Sequence, residues 1–376
     1  MAQSKMNELA EFGQSIWLDY IDRPLLETDK LTNLIEDGLR GMTSNPSIFN
    51  NAIGNSTDYD VSIRELNAAG KTTFEIYDAL TIKDIQDACD QFKSVYAQTD
   101  GLDGYVSLEI NPRMANDTQA QVDEGRRLHK VVARQNVMIK VPSTDAGIPV
   151  IEELIASGIS VNATLIFSLA QYEAVARAYY KGLTRLAETT DDLSHVRSVA
   201  SVFVSRIDAT IDNLIDQKAL DADDALKSRL LALKGKAAVA NSHIIYEKWA
   251  ELLQDESIAA LTNKNANVQR VLWASTGTKN PEYSDIKYIT ELISNPTVNT
   301  VPEKTLNAFL DHGEVVNGFI CNESESHDVF NGLDEMGIDI DDVCSDLLDQ
   351  GVVAFEKAFD DLFASINKKA QELAVK

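Results

Sequence analysis

Val137-Met138-Ile139-Lys140-Val141-Pro142 places one lysine inside an apolar, β-branched run that a proline closes. β-Branched residues favour strands, and proline cannot donate to a sheet ladder, so the run reads as a strand that gives way to a loop at Pro142. Side chains alternate across a strand. Val137, Ile139 and Val141 therefore share one face, and Met138 and Lys140 share the other. The first face suits a covering layer of helices, which turns Lys140 to the opposite side.

Seven further β-rich runs flank this one, at residues 15–20, 39–44, 105–110, 160–167, 199–206, 268–275 and 297–301. Amphipathic stretches such as residues 119–134 and 168–188 separate them. Strands alternating with helices imply a parallel sheet, and eight such units imply closure into an α/β fold of the (β/α)8 TIM-barrel type. Pro46, Pro112 and Pro302 follow strand ends as Pro142 does. In a barrel these are the C-terminal strand ends, where reactive side chains gather. Two regions exceed a minimal barrel. Residues 208–267 have helical composition between the sixth and seventh strands, and residues 339–375 read as one or two long amphipathic helices after the eighth. With no internal repeat, low-complexity tract or Pro/Gly-rich linker, residues 1–376 are expected to form one domain.

In a closed barrel the face that carries Lys140 is the interior. The same alternation turns Ser107 and Glu109 inward in YVSLEI, Asn162 and Thr164 in SVNATLIF, and Trp17 and Asp19 in SIWLDY. Four strands thus aim Asp19, Glu109, Lys140, Asn162 and Thr164 into one enclosed space. Charges buried there are costly unless paired or functional. On the residues alone, a structural Lys–Glu pair, a lysine snorkelling to solvent and an amine nucleophile all remain open. The last has a physical basis: desolvation disfavours the charged form of an amine and keeps it nucleophilic near neutral pH.

Composition narrows the partners. The formal net charge of -25 argues against nucleic acid and anionic membranes, and an anionic substrate would need cations concentrated locally. The cysteines Cys89, Cys321 and Cys344 and the histidines His129, His195, His243, His312 and His327 show no metal-ligand spacing, so buried thiols in a reducing compartment and no metal are expected. Gly70-Lys71-Thr72 resembles the end of a phosphate-binding loop, but Glu65 stands where its first glycine belongs. No basic segment followed by an apolar run opens the sequence, and no apolar stretch approaches membrane-spanning length; a cytoplasmic location is expected.

The segments SIWLDYIDRPLL (residues 15–26), GMTSNPSIF (41–49), LEINPRMANDTQ (108–119), VMIKVPSTDAGI (137–148), GISVNATLIFSLAQY (158–172), ASVFVSRIDATID (200–212) and LWASTGTKNPEYSD (272–285) together resemble transaldolases, particularly the longer bacterial type. The resemblance runs from about residue 13 to residue 306 in the family's order. It implies a class I aldolase-type barrel with no metal or organic cofactor. The implied reaction moves a dihydroxyacetone unit from sedoheptulose 7-phosphate to glyceraldehyde 3-phosphate, giving erythrose 4-phosphate and fructose 6-phosphate, in the pentose phosphate pathway. On that resemblance Lys140 forms the Schiff base and Asp19 is the acid/base at the C4 hydroxyl. Glu109 shuttles protons through a water held near Thr164. Thr43, Asn45 and Asn162 orient hydroxyls, Ser201 and Phe203 belong to the site, and Arg206 and Ser275 contact phosphate.

The sequence departs from the family at one point. Many transaldolases carry an arginine two residues after the serine matching Ser275, and here that position is Gly277. Lys279 is the candidate for the missing charge. The chemistry suits these residue types independently, because a protonated imine is an electron sink and its two proton transfers need carboxylates in different environments. Two alternatives stand beside this reading. One is a Schiff-base aldolase, such as a fructose-6-phosphate or deoxyribose-phosphate aldolase, that releases its enamine by protonation. The other is a barrel that binds sugar phosphates without turnover. A monomer or a homodimer is expected. Borohydride reduction in the presence of fructose 6-phosphate should label a single lysine, which peptide mapping should place at Lys140; a label elsewhere, or activity surviving in Lys140→Ala, would exclude the assignment.

Overall fold

A computed structural model describes residues 4–319 and 323–374, so Cys321 lies outside the described residues. Eight parallel strands, β1 (Gln14–Leu18), β2 (Gly41–Thr43), β3 (Tyr105–Glu109), β4 (Val137–Pro142), β5 (Val161–Ile166), β6 (Ser198–Phe203), β7 (Arg270–Ala274) and β8 (Thr297–Val301), close in chain order, with β8 pairing back on β1. This is the expected (β/α)8 barrel. Its boundaries shift where local chemistry intervenes. Pro142 stays in its strand, its Cα opposite Thr164. Asp19 lies one residue beyond β1, its N–H donating to Val301 O at 2.8 Å. Ser275 has left the seventh strand because its φ of 55° turns the chain. Arg206, read as the end of the sixth strand, instead lies in the first turn of the helix Ser205–Leu220.

The amphipathic stretches become the helices Thr118–Val132 and Leu169–Leu186, the second begun by a capping box between Ser168 and Gln171. Residues 208–267 carry the rest of the helix Ser205–Leu220 and the helices Asp224–Leu231, Ala237–Leu252 and Glu256–Thr262. The C-terminal addition is one helix of 35 residues, Ile340–Ala374. A third elaboration went unread in the sequence: four helical segments, Pro46–Phe49, Asn50–Gly54, Asp60–Ala68 and Thr73–Gln98, separate β2 from β3. Among the described residues no helix is long and apolar enough to cross a membrane.

The alternation read from the sequence is visible in bonds that cross the barrel rather than follow the sheet. Asn162 on β5 donates to Ser107 Oγ on β3 at 3.0 Å, past the intervening β4. Thr43 Oγ1 on β2 and Thr300 Oγ1 on β8 lie 2.7 Å apart, past β1. The interior is therefore filled in layers, as side-chain volume in an eight-stranded barrel requires. At the N-terminal end Arg270 donates to Ser15 Oγ at 2.9 Å and to Asp103 Oδ1 at 2.7 Å, and Asp103 also accepts from Ser15 and Trp17. The Trp17 ring needs the space beside β2, since a Cβ on Gly41 would fall 2.6 Å from it. The alternation fails once: Leu165 has φ 60°, and the β5–β6 register shifts between Ala163 and Ile166.

Arg270 and Asp103 are each 6% exposed, so removing one partner strands the other's charge in the barrel floor. Asp103→Ala is expected to destabilise the fold by about 3–5 kcal/mol, read as a lower urea midpoint.

Candidate active site

The C-terminal strand ends surround a cavity of about 190 Å³ lined by Asp19, Thr43, Asn45, Ser47, Lys140, Thr164, Ser201, Phe203, Arg206, Ala274, Ser275, Gly277, Lys279, Thr300, Pro302 and Phe355. Ten of the twelve residues singled out in the sequence line it; Glu109 and Asn162 do not. A cleft of about 810 Å³ opens elsewhere, beside the helix Ala237–Leu252, but its Lys234 and Lys287 are already paired with Asp216 and Glu291. The smaller cavity gathers the barrel's reactive groups.

Lys140 is 5% exposed. Its Nζ donates to Ser44 O at 3.2 Å and stands 3.6 Å from Glu109 Oε2, an ion-pair separation longer than a hydrogen bond. Glu109 and Lys140 are direct neighbours in the β3–β4 register, so the strands themselves set this pairing. Burial pushes the Glu109 carboxyl up to about 7, against the pull of Lys140. Glu109 Oε2 and Thr164 Oγ1 are both buried without a hydrogen-bond partner among the described residues. Buried polar atoms are rarely left so, and such groups mark places where chemistry or an ordered water takes them up.

Asp19 accepts a 2.7 Å hydrogen bond from Thr43. Burial raises its pKa above the usual carboxylate value, with Lys140, Thr43 and Lys279 opposing the shift. Asn45 Oδ1 caps the helix Pro46–Phe49 by accepting from Ile48 N–H at 3.0 Å. Asn162 accepts from Ser201 at 2.6 Å while donating to Ser107, so it locks three strands together behind the cavity wall. Five contributors escaped the sequence reading: Thr300, Ser47, Ala274, Phe355 and the Ser44 carbonyl. The inward alternation of β8 was the available signal for Thr300. Phe355 had none, because it arrives from the C-terminal helix.

The cations sit at the rim. Arg206 is half-buried with its guanidinium 5.5 Å from the Phe203 ring centroid, and burial pushes its pKa down. Neither Arg206 nor Lys279 makes an ion pair or hydrogen bond among the described residues. Ser205 Oγ and Ser275 Oγ lie 3.2 Å apart, joining the Arg206 helix to the loop after β7. At Gly277 a Cβ would approach Pro302 Cγ to 3.3 Å, so a side chain there meets a proline that must yield slightly.

A buried amine beside two carboxyls of different surroundings, within an α/β barrel, defines an aldolase-type enzyme site. The profile described as Transaldolase/Fructose-6-phosphate aldolase matches residues 16–366, and the chain belongs to that family. It is 43% identical to Transaldolase 2 of Nostoc sp. over 100% of both chains, and 44% identical to Transaldolase of Mycolicibacterium smegmatis over 96% of both. Transaldolase of Trichodesmium erythraeum is 42% identical over 99% of both chains.

With its carboxyl at about 7, Glu109 carries a proton below neutrality and is charged above it. Expulsion of a hydroxyl as water needs the protonated acid. The dehydration step measured in single turnovers should therefore slow as pH rises above neutrality, with its inflection higher than in the free site because the carbinolamine nitrogen no longer carries the Lys140 charge that pulls Glu109 down. Glu109→Gln should abolish this inflection; an unchanged inflection would show that another group supplies the proton.

Proposed function

We propose that the chain transfers a dihydroxyacetone unit between sugar phosphates as a transaldolase, with sedoheptulose 7-phosphate as donor and glyceraldehyde 3-phosphate as acceptor. The observation that carries this reading is the Lys140 amine in a cavity at the strand ends with Asp19 on its wall and Glu109 behind it. Lys140 adds to the donor's ketone carbon to give a carbinolamine. Glu109, through a water bridging toward Thr164, supplies the proton with which hydroxide leaves, and a protonated imine forms. Asp19, kept basic by burial and aimed by Thr43, takes the C4 hydroxyl proton. The C3–C4 bond then breaks, its electrons flow into the imine, and erythrose 4-phosphate leaves an enamine on Lys140. The enamine carbon attacks the acceptor aldehyde, Asp19 returns its proton to the new alkoxide, and water releases fructose 6-phosphate.

Phosphate recognition falls to the rim. In a protein of net charge -25, a half-buried arginine without an anionic partner among the described residues is a prepared anion site. Its planar fork suits bidentate contact, Ser275 adds a neutral donor, and Lys279 adds a point charge where the family's arginine is absent. The relatives named transaldolase support transfer over simple release. A cytoplasmic setting fits a phosphorylated substrate.

In a coupled assay, erythrose 4-phosphate should appear only when both substrates are present. Free dihydroxyacetone released from fructose 6-phosphate at a comparable rate would make the chain an aldolase instead. A hydrogen bond to a charged group contributes about 1.5–3 kcal/mol, so Arg206→Ala should raise KM for phosphorylated sugars roughly 10- to 100-fold, with little effect on unphosphorylated dihydroxyacetone as donor. Lys279→Ala should act in the same direction more weakly; normal binding at low salt would assign Lys279 to the surface alone.

A further inference from the structure

The C-terminal helix Ile340–Ala374 lines the cavity from well beyond the last barrel strand in sequence. It packs against the helical segments after β2, the short helix Pro112–Met114 after β3, β5 itself and the helix Ser205–Leu220 after β6. Several of these segments leave the C-terminal ends of β2, β3 and β6, and Phe355 of the helix lines the cavity there, so the helix passes over the barrel's mouth. It is fastened along its length. Cys344 Sγ donates to Phe167 O at 3.3 Å, Arg113 Nε donates to Asp360 at 2.9 Å, and Lys369 donates to Asp60 at 2.8 Å. Gly351 sits against Leu165, the residue of β5 with left-handed backbone; a Cβ on Gly351 would lie 3.0 Å from the Leu165 side chain. This close seat brings the next turn of the helix down into the cavity, and Phe355, 5% exposed, forms part of its wall.

An aromatic ring here opposes a wall that is otherwise mostly polar. Such a ring offers no proton and no hydrogen bond to a sugar, but it occupies space that water would fill. Excluding water from a reactive intermediate suppresses its side reactions. We propose that Phe355 is a specificity-determining residue that shields the enamine on Lys140 and sets the ratio of transfer to release. The proposal rests on the transaldolase reading above. In the competing release, the enamine carbon takes a proton derived from solvent and becomes an imine of dihydroxyacetone. Water then adds to the imine carbon, the C–N bond breaks, and dihydroxyacetone leaves with the Lys140 amine regenerated. In transfer the same carbon bonds to the acceptor aldehyde instead. Opening the wall at Phe355 admits water to the first route and leaves the second unaided.

The test is the product ratio, free dihydroxyacetone to transferred product, with fructose 6-phosphate as donor and erythrose 4-phosphate as acceptor. Phe355→Ala is expected to raise it roughly tenfold, the change that about 1.4 kcal/mol of lost barrier gives, with borohydride trapping at Lys140 intact. In deuterated water each released dihydroxyacetone should carry a solvent deuterium on the former enamine carbon. Phe355→Met, which refills the space with a flexible apolar chain, should fall between wild type and alanine, and decides the matter if the alanine variant does not fold. Phe359→Leu supplies the structural comparison, since Phe359 is buried one turn further along, 5.1 Å from the Tyr77 ring, and does not line the cavity. It should leave the ratio at the wild-type value. A ratio unmoved in the folded Phe355 variants, or raised equally by Phe359→Leu, overturns the proposal. Absence of transfer in the wild-type enzyme would instead sink the transaldolase reading itself.

Discussion

An amine buried inside a barrel is the constraint to which the rest of this molecule answers. Lys140 stands in a layer where neighbouring strands leave little room for solvent, and removing an ammonium group from water costs several kcal/mol, on the order of any single compensation available. The compensation is distributed. Glu109 faces it from the adjacent strand in direct register, and the Ser44 carbonyl accepts one of its protons. Neither contact is saturating. The Glu109 carboxyl has drifted to about 7, and its Oε2, though facing Lys140, finds no hydrogen-bond partner among the described residues. A purely structural ion pair would be satisfied on all sides, as the Arg270–Asp103 pair in the barrel floor is far closer to being. The two buried pairs of one barrel thus show the difference between a charge that holds the fold and one held ready for chemistry.

Around that centre the interior grades from rigid to available. Ser107, Asn162 and Ser201 bond across strands and leave little capacity for a ligand. One step outward, Asp19, Thr43 and Thr300 form a second chain that opens on the cavity. Polar networks in a low-dielectric interior specify geometry strongly when satisfied, which lets the outer chain position an acid at the cavity wall without mobile loops. At the rim the order reverses, and the cations Arg206 and Lys279 make no ion pair or hydrogen bond among the described residues. A chain with 59 acidic and 34 basic residues has ample carboxylates to neutralise them, so leaving both free is an arrangement of the fold rather than a shortage.

The long C-terminal helix completes the enclosure. Its seat on Leu165 connects three local irregularities: a left-handed residue, a register shift in β5, and a glycine where a methyl group would crowd. A γ-branched residue at positive φ is strained, and such strain persists only where the surroundings over-determine it. Here the surroundings include the Ser143 hydroxyl donating to Leu165 O at 2.8 Å, and the irregularity lies immediately after Thr164.

By itself the sequence determined the eight strands, the inward set Asp19, Glu109, Lys140, Asn162 and Thr164, and the resemblance through which Arg206, Ser275 and Lys279 were singled out. Period-two alternation and proline stops are local properties, written within a few residues of each position, and they survive folding except at Leu165, where the backbone turns left-handed, and at Pro142, which stays in its strand. Strand ends were legible only approximately, because Ser275 and Arg206 leave the sheet through backbone turns that the surrounding loops impose. The tertiary structure alone decided that Asn162 is tied between Ser107 and Ser201, that the Ser44 carbonyl meets the Lys140 amine, and that Phe355 enters the cavity from some 215 residues along the chain. An amphipathic helix announces that one of its faces will be buried, but not against what; the partner is chosen by the packing of the whole barrel mouth, where no residue's neighbours in sequence carry the information.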